Sequence, residues 1–399
     1  MTAANSLNKI IYADNAATTK IDCDALNLMF ELQKNFFANP SSAYKISSPI
    51  KKILRESREK IAACINAEPQ EIFFTSGGTE GDNWAIKSVA LQNLQELPNI
   101  ITSAVEHKAV LNSCAAMKNL GCTVTILPVD KFGAVNPKSL QRKILPSTKI
   151  ISVMLANNEV GTIQPIKTLA EISHSAGKIF HTDAVQAVGH IPVDVKNLGA
   201  DILSASAHKF NGPKGIGFLY IRRGLKILPL IDGGAQEFSK RAGTENFPAV
   251  AAMALALEKN CGDMEKNSKL ISAVANKLIE NLRESNIDFI LNGGENRLPG
   301  SLSLSFKNCE GETLLHRLDL KNICVSTGSA CNSKQIKISH VLRALKIPKD
   351  YIRGTIRITF GKENTLEDAE IIAKNLSEIV KPMQGKNFGL YKNCGLNSD

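Results

Sequence analysis

Residues 149–209 read KIISVMLANNEVGTIQPIKTLAEISHSAGKIFHTDAVQAVGHIPVDVKNLGADILSASAHK. Three short runs in this stretch, 149–156, 178–182 and 201–205, are mostly apolar or β-branched. Residues 165–176 between the first two carry helical periodicity instead. Strands that stay apolar and alternate with helical segments point to a mainly parallel sheet covered on both faces. Each run also ends in polar residues: Asn157-Asn158-Glu159, Asp183-Ala184-Val185-Gln186 and Ser206-Ala207-His208-Lys209.

Outward from this stretch the same alternation continues. Further strands are predicted at 71–75, 99–105, 123–129 and 217–221, and helices at 79–94, 107–120 and 137–145. The expected fold class is α/β, with a large domain built on a mainly parallel seven-stranded sheet between helices. Residues 247–286 read as long helices interrupted near Gly262. Strands at 301–306, 323–326 and 355–360 then alternate with helices at 312–318, 339–345 and 366–380, which predicts a smaller α+β C-terminal domain. The expected organisation is an N-terminal arm (1–18), a large domain (19–255), a small domain (256–382) and a flexible tail (383–399) rich in Asn, Gly and Lys.

Hydrophobic residues make up 43% of the 399 and charged residues 22%, which excludes wholesale disorder. Apolar runs such as 249–257 are far shorter than the ~20 residues a membrane helix needs. Residues 1–9 lack a basic-then-apolar signal, so a cytoplasmic location without membrane contact is expected. The net charge of +10 is spread along the chain. Its densest patch, 51–60, interleaves acids and apolar residues like a solvated helix face, so direct nucleic-acid binding is not expected. Nine cysteines, at 23, 64, 114, 122, 261, 309, 324, 331 and 394, show no C-x-x-C spacing. Neither a disulfide framework nor a metal site is expected, and most should be buried small hydrophobes.

Ligands of open parallel sheets bind beyond the carboxyl ends of the strands. Five predicted strand ends present polar groups there. Ser76-Gly77-Gly78-Thr79 opens a helix and would seat a phosphate on backbone N–H groups, although it would serve equally as a plain cap. It is not a Walker loop. His107 would stack on an aromatic ring or shuttle a proton, and a structural histidine is the alternative. Asp183 would hold a proton on a heteroaromatic nitrogen, or cap a helix. Asn158 and Gln186 are placed to reach a phenolic oxygen on such a ring. Lys209, partly desolvated, would form an imine; otherwise it is a solvated loop lysine. Together these groups are what pyridoxal 5'-phosphate requires, and that cofactor is expected.

The motifs Tyr12-Ala13-Asp14-Asn15-Ala16-Ala17, Asn39-Pro40-Ser41-Ser42, Thr75-Ser76-Gly77-Gly78-Thr79-Glu80, Glu106-His107-Lys108, Asn157-Asn158-Glu159-Val160-Gly161, His181-Thr182-Asp183, Ser206-Ala207-His208-Lys209, Arg241-Ala242-Gly243-Thr244-Glu245-Asn246 and Ser329-Ala330-Cys331 stand in register over nearly the whole chain. In them the sequence resembles the cysteine desulfurases, the NifS/IscS-like members of the class V aminotransferase group of fold type I pyridoxal-phosphate enzymes. The resemblance implies that Lys209 is the imine-forming lysine, Asp183 the partner of the pyridine nitrogen and His107 the stacking residue with a proton-transfer role. It implies that Gly78, Thr79, Ser206 and His208 hold the phosphate, and that Arg357 and Asn158 bind the substrate, Arg357 through its α-carboxylate. Thr244 would reach the phosphate of a second subunit, so a homodimer is implied. Cys331, among small and polar residues with Lys334 and Lys337 nearby, would be the sulfur nucleophile. The implied reaction converts L-cysteine to L-alanine and leaves a persulfide on Cys331. Its sulfur would pass to an acceptor protein in iron–sulfur cluster assembly, tRNA thiolation or DNA modification. Tyr44, Ala207 and Lys337-Ile338 depart from the commonest residues of the family. An aminotransferase or a selenocysteine lyase would keep the same cofactor set, but an aminotransferase would not need Cys331. A non-catalytic scaffold would need none of Lys209, Asp183 and Cys331.

Overall fold

The computed structural model describes residues 10–327 and 338–384. Its strands are β1 (Ile11–Tyr12), β2 (Ile72–Thr75), β3 (Asn99–Ser103), β4 (Thr123–Leu127), β5 (Thr148–Ser152), β6 (Ile179–Asp183), β7 (Ile202–Ser206), β8 (Gly217–Ile221), β9 (Phe289–Asn292), β10 (Ser301–Phe306), β11 (Ile323–Cys324) and β12 (Thr355–Thr359). Seven of them form one sheet in the order β2-β8-β7-β6-β5-β3-β4. The pairs from β7 to β4 are parallel, and β8 runs antiparallel to both its neighbours. Six strands therefore share one direction, and their carboxyl ends meet along one edge. β5 stops at Ser152, short of the expected 156. Val153 and Leu155 still donate to the carbonyls of His181 and Asp183 at 3.1 and 2.8 Å, but the N–H of Met154 turns away to Glu106.

Alternate strand residues feed two cores, as the period of two in a pleated strand requires. Ile100, Ile150, Ile202 and Leu219 pack on one face with Trp84 and Val89 of helix Gly78–Gln92 and with Val110 of helix Lys108–Lys118. Ile101, Ile151, Leu203 and Phe218 pack on the other with residues of helices Ser48–Cys64, Ile166–Ser175 and Phe247–Gly262. Each large side chain so buried contributes roughly 1.5–3 kcal/mol. In helix Ser48–Cys64 the charged patch read from the sequence forms exposed i,i+4 pairs, Lys52–Glu56 and Arg55–Glu59, while Ile50, Leu54 and Ile61 face inward. Helix Cys23–Asn35 was not anticipated. Asp22 caps it, but only Ala25 and Leu32 are buried, too thin a stripe to read as amphipathic.

A second sheet, β12-β10-β9, is antiparallel. Leu304, Ile356 and Ile358 pack there against Val274 and Leu278 of helix Met264–Glu284 and Ile372 and Leu376 of helix Leu366–Gln384. β9 was not anticipated: three of its four residues are only partly buried, so it carries no clear inward face. β11 does not join this sheet but pairs in parallel with β1, and Ile11 and Ala13 pack in the same second core. The last helix passes the expected end at 380 and continues through Pro382 to Gln384. Gln384 ties its end down, accepting from the N–H of Asp288 and donating to its carbonyl, so Met383 and Gln384 are helical and not tail. Residues 385–399 of the expected tail lie outside the described residues.

The seven described cysteines are free, and the expectation that most cysteines are buried is corrected for them. Cys114, Cys122 and Cys309 are buried, Cys64, Cys261 and Cys324 partly so, and Cys23 is exposed. Cys23, Cys64 and Cys261 sit at or next to helix ends; Cys64 and Cys261 still pack against the edge of the first core, while Cys23 faces out. Among the described residues no helix is long and apolar enough to cross a membrane.

Candidate active site

A cavity of about 630 Å³ opens at the carboxyl edge of the large sheet. All five strand ends singled out above reach it. Ser76 to Glu80 follow β2, His107 follows β3, Met154 and Asn158 follow β5, Asp183 closes β6 with Val185 and Gln186 beyond it, and Ser206 closes β7 with His208 and Lys209 beyond it. Two further groups come from far away in the chain: residues 16–18, just after β1, and Arg357 on β12. The volume suits a small organic ligand.

One end of the cavity is built to receive an anion. Gly77 has φ +148°, a conformation that L side chains rarely adopt, and it precedes helix Gly78–Gln92 without a side-chain cap on the first N–H groups. A Cβ added to Gly78 would lie 2.4 Å from Val185 Cγ2, so only glycine lets the backbone come so close. Glu80 reaches back to accept from the N–H of Ser76 at 2.7 Å and receives Arg241 through two bonds of 2.9 and 3.2 Å. The loop is thus fixed by Glu80, itself held by Arg241 from outside the cavity lining. Ser206 is buried at its floor, and His208 Nδ1 lies 3.1 Å from Thr18 Oγ1. Burial, then the neighbouring charges of Lys209 and Lys214, pull His208 down to about 4, so it enters as a neutral hydrogen-bonding ring.

The reactive groups line the same cavity. Lys209 Nζ donates to the carbonyls of Ala16 and Ala17 at 2.6 and 2.7 Å. Burial, then Arg357, lower its pKa to about 8, against the opposing pull of Asp183 and Asp14. Asp183 is buried, and its Oδ1 accepts from the N–H of Val185 at 2.9 Å. Burial raises its pKa, while Val185, His107 and Lys209 favour its charged form. His107 caps helix Lys108–Lys118, its Nδ1 accepting from Ala109 at 3.2 Å, which leaves Nε2 free to carry the ring proton. Gln186 Nε2 donates to Ala16 O at 3.0 Å. Arg357 donates to Asp14 Oδ1 at 2.6 Å and to the carbonyl of Asn158 at 3.0 Å, yet its buried Nε has no partner among the described residues. A buried N–H of a cation left unpaired is a seat for an anionic group.

Three polar residues of the site went unremarked as site residues in the sequence. Asp14 pairs with Arg357 from within the expected arm. Asp82 is buried on the inward face of helix Gly78–Gln92, a position its apolar neighbours Trp84 and Ala85 mark as core. Glu106, next to His107, is fully buried; it accepts from Ser103 Oγ at 2.5 Å and from the N–H of Met154, and burial pushes its pKa up to about 8. One donor atom each from Asp82, His107 and Asp183 lie within 4.8 Å of one another. Thr244 is exposed and is not among the residues lining the cavity. Cys331, with Lys334 and Lys337, lies outside the described residues.

These residues fit pyridoxal phosphate. The glycine cradle at Gly77 and Gly78, which a Cβ would fill, meets the phosphate requirement, and a buried carboxylate and a desolvated amine face the same space. The chain matches the family model "Aminotransferase class-V" over residues 11–372. It is 45% identical to "Cysteine desulfurase IscS" of Methanosarcina thermophila over 94% of this chain and 93% of that relative. Among solved structures it is similar to a "NIFS-LIKE PROTEIN", with TM-score 0.88 and 37% identity over 93% of this chain and 99% of that one. It is also similar to "SspA in complex with cysteine", with TM-score 0.79 and 34% identity over 88% and 99%.

Proposed function

Because the chain belongs to the class-V aminotransferase family, we infer that it is a cysteine desulfurase that uses pyridoxal phosphate. The observation that carries this reading is the meeting, in one cavity, of the Lys209 amine, the Asp183 carboxylate and Arg357, whose Nε no described residue partners. When bound, the cofactor supplies an aldehyde to capture amines and an electron-withdrawing ring. Ser76 to Thr79, Ser206 and His208 hold its phosphate, Asp183 its pyridine nitrogen, and His107 the ring face, with Asn158 and Gln186 toward the phenolic oxygen. Arg357 takes the α-carboxylate of L-cysteine through Nε, with Asp14 and the carbonyl of Asn158 orienting its plane.

Lys209, once its amine is free, removes the Cα proton and later returns one to carbon. Cys331 attacks the substrate sulfur as the thiolate. The new S–S bond forms as the substrate C–S bond breaks, the electron pair goes to carbon, and carbon takes up a proton. Cysteine and the Cys331 thiol thus become alanine and a Cys331 persulfide, which passes its outer sulfur to an acceptor protein for iron–sulfur cluster assembly or thiolation of tRNA or DNA. His107 handles a proton on the substrate thiol.

The reading is of a homodimer, with Thr244 facing the partner's phosphate site. Its exposure supports this, as do exposed Phe37 and Tyr44, 88% and 65% accessible, which leave an apolar surface for a second copy. It is also of two bodies divided near 255, with Ile11 and Ala13 of the arm packing in the core of the second. The setting is the cytoplasm, where free thiols stay reduced.

Supplying L-cysteine without a reductant tests the reaction. One alanine is expected per persulfide, with labelled sulfur recovered on the peptide that contains Cys331; alanine without that adduct overturns the sulfur route. Arg357 gives a second test. Arg357→Ala should raise KM for cysteine by about 30-fold to 1000-fold, the equivalent of roughly 2–4 kcal/mol for truncating a buried charge pair. Arg357→Lys should recover little of this, because an ammonium cannot offer the planar fork. An unchanged KM in steady-state assays would remove Arg357 from the substrate.

A further inference from the structure

On the pyridoxal-phosphate reading above, we infer that Asp82 holds a proton against Asp183 and so fixes a single negative charge on Asp183. Asp82 is 1% exposed, on the inward side of helix Gly78–Gln92, and a carboxylate oxygen of it lies within 4.8 Å of one of Asp183. Two carboxylates so close in a dry pocket do not both ionise.

The surroundings decide which one keeps the proton. Asp183 receives the N–H of Val185 and faces the positive charge of Lys209. Asp82 faces Asp183, Glu106 and the hydroxyl of Ser204, and its Oδ1 has no partner among the described residues. The nearest basic group is His181, whose Nε2 is 3.7 Å from Asp82 Oδ1. That ring is wholly buried and stays neutral, held between Ser152 Oγ at 2.8 Å and Ser204 Oγ at 3.0 Å. Among the described residues no cation therefore compensates a charge on Asp82, and burial together with Asp183 drives its acidity far down.

The consequence falls on the cofactor. A protonated Asp82 leaves Asp183 as the acceptor for an N–H on the pyridine ring. With the proton on Asp183 instead, the negative charge that pairs with that N–H would be lost. Asp82 is a positioning residue, since it acts through Asp183.

Infrared spectroscopy of the cofactor-free protein at neutral pH reads the proton directly. The carbonyl stretch of a protonated carboxyl, shifted in deuterated water, should be present in the parent and lost in Asp82→Asn, yet retained in Asp183→Asn. Isotope-labelled aspartate separates this band from those of Glu106 and Glu159, and if Asp82→Asn fails to fold, retention or loss of the band in Asp183→Asn still tells which of the two aspartates carries it. Pyridoxal-phosphate affinity gives an independent readout. Asp82→Asn, a neutral isostere, should bind within about threefold of the parent, whereas Asp183→Asn should lose about a hundredfold. Absence of an aspartic-acid band in the parent, or loss of affinity in Asp82→Asn equal to that in Asp183→Asn, overturns the proposal. Unchanged affinity in Asp183→Asn would instead overturn the cofactor reading on which it rests.

Discussion

Lys209→Ala should lower the conversion of L-cysteine to alanine by at least about a thousandfold, the scale of a lost proton-transfer group that is also the cofactor's covalent anchor. The argument begins with burial. An ordinary lysine near pKa 10.4 is neutral in roughly one molecule per 2500 at pH 7. Lys209, lowered to about 8, is neutral in about one in ten under the same conditions. The environment therefore raises the reactive fraction by a factor of about 250 before any geometry is considered. The sign is fixed by the direction of the shift: the neutral amine gains as pH rises toward about 8 and levels off above it. Borohydride trapping with pyridoxal phosphate should label Lys209 with that pH dependence and label nothing in Lys209→Ala. Turnover within tenfold of the parent would show that another base serves the reaction.

Cys331→Ala should abolish alanine formation while the protein still takes up pyridoxal phosphate. A free thiol near pKa 8.5 offers a few per cent thiolate at pH 7, and no hydroxyl or water matches its affinity for sulfur. Removing it leaves the substrate sulfur without an acceptor, so a loss of about a thousandfold or more is expected, comparable with removing a catalytic nucleophile. The visible absorbance of the bound cofactor should persist, which separates a missing nucleophile from a damaged site. Turnover unaltered by the substitution would instead favour an aminotransferase.

The seven-stranded sheet was legible because β3, β5, β6 and β7 are covered on both faces and so stay apolar along their length. The polar residues that interrupt them, Asp183 and Ser206 among others, then marked the carboxyl edge. What escaped notice depends on contacts between distant segments. β1 is two residues long and exists through its pairing with β11. β9 is an edge strand with little inward signal. Asp14, Asp82 and Glu106 became site residues only once the fold placed Arg357, Asp183 and Met154 beside them. A buried acid in a helix looks the same in sequence as an exposed one.

Residues 14–17 supply the partners of three cavity side chains: Asp14 for Arg357, Ala16 for Gln186, and Ala16 with Ala17 for Lys209. These partners lie 343, 170, 193 and 192 residues apart along the chain. Contacts of such separation form late, after the loops between them have closed. During synthesis the segment leaves the ribosome first and must wait for β11 and β12, which emerge near the end, before it can seat. The seat for the substrate's carboxylate is therefore completed only when synthesis is nearly over, and a ribosome-bound nascent chain ending before Arg357 holds an unfinished pocket however well its large sheet has formed.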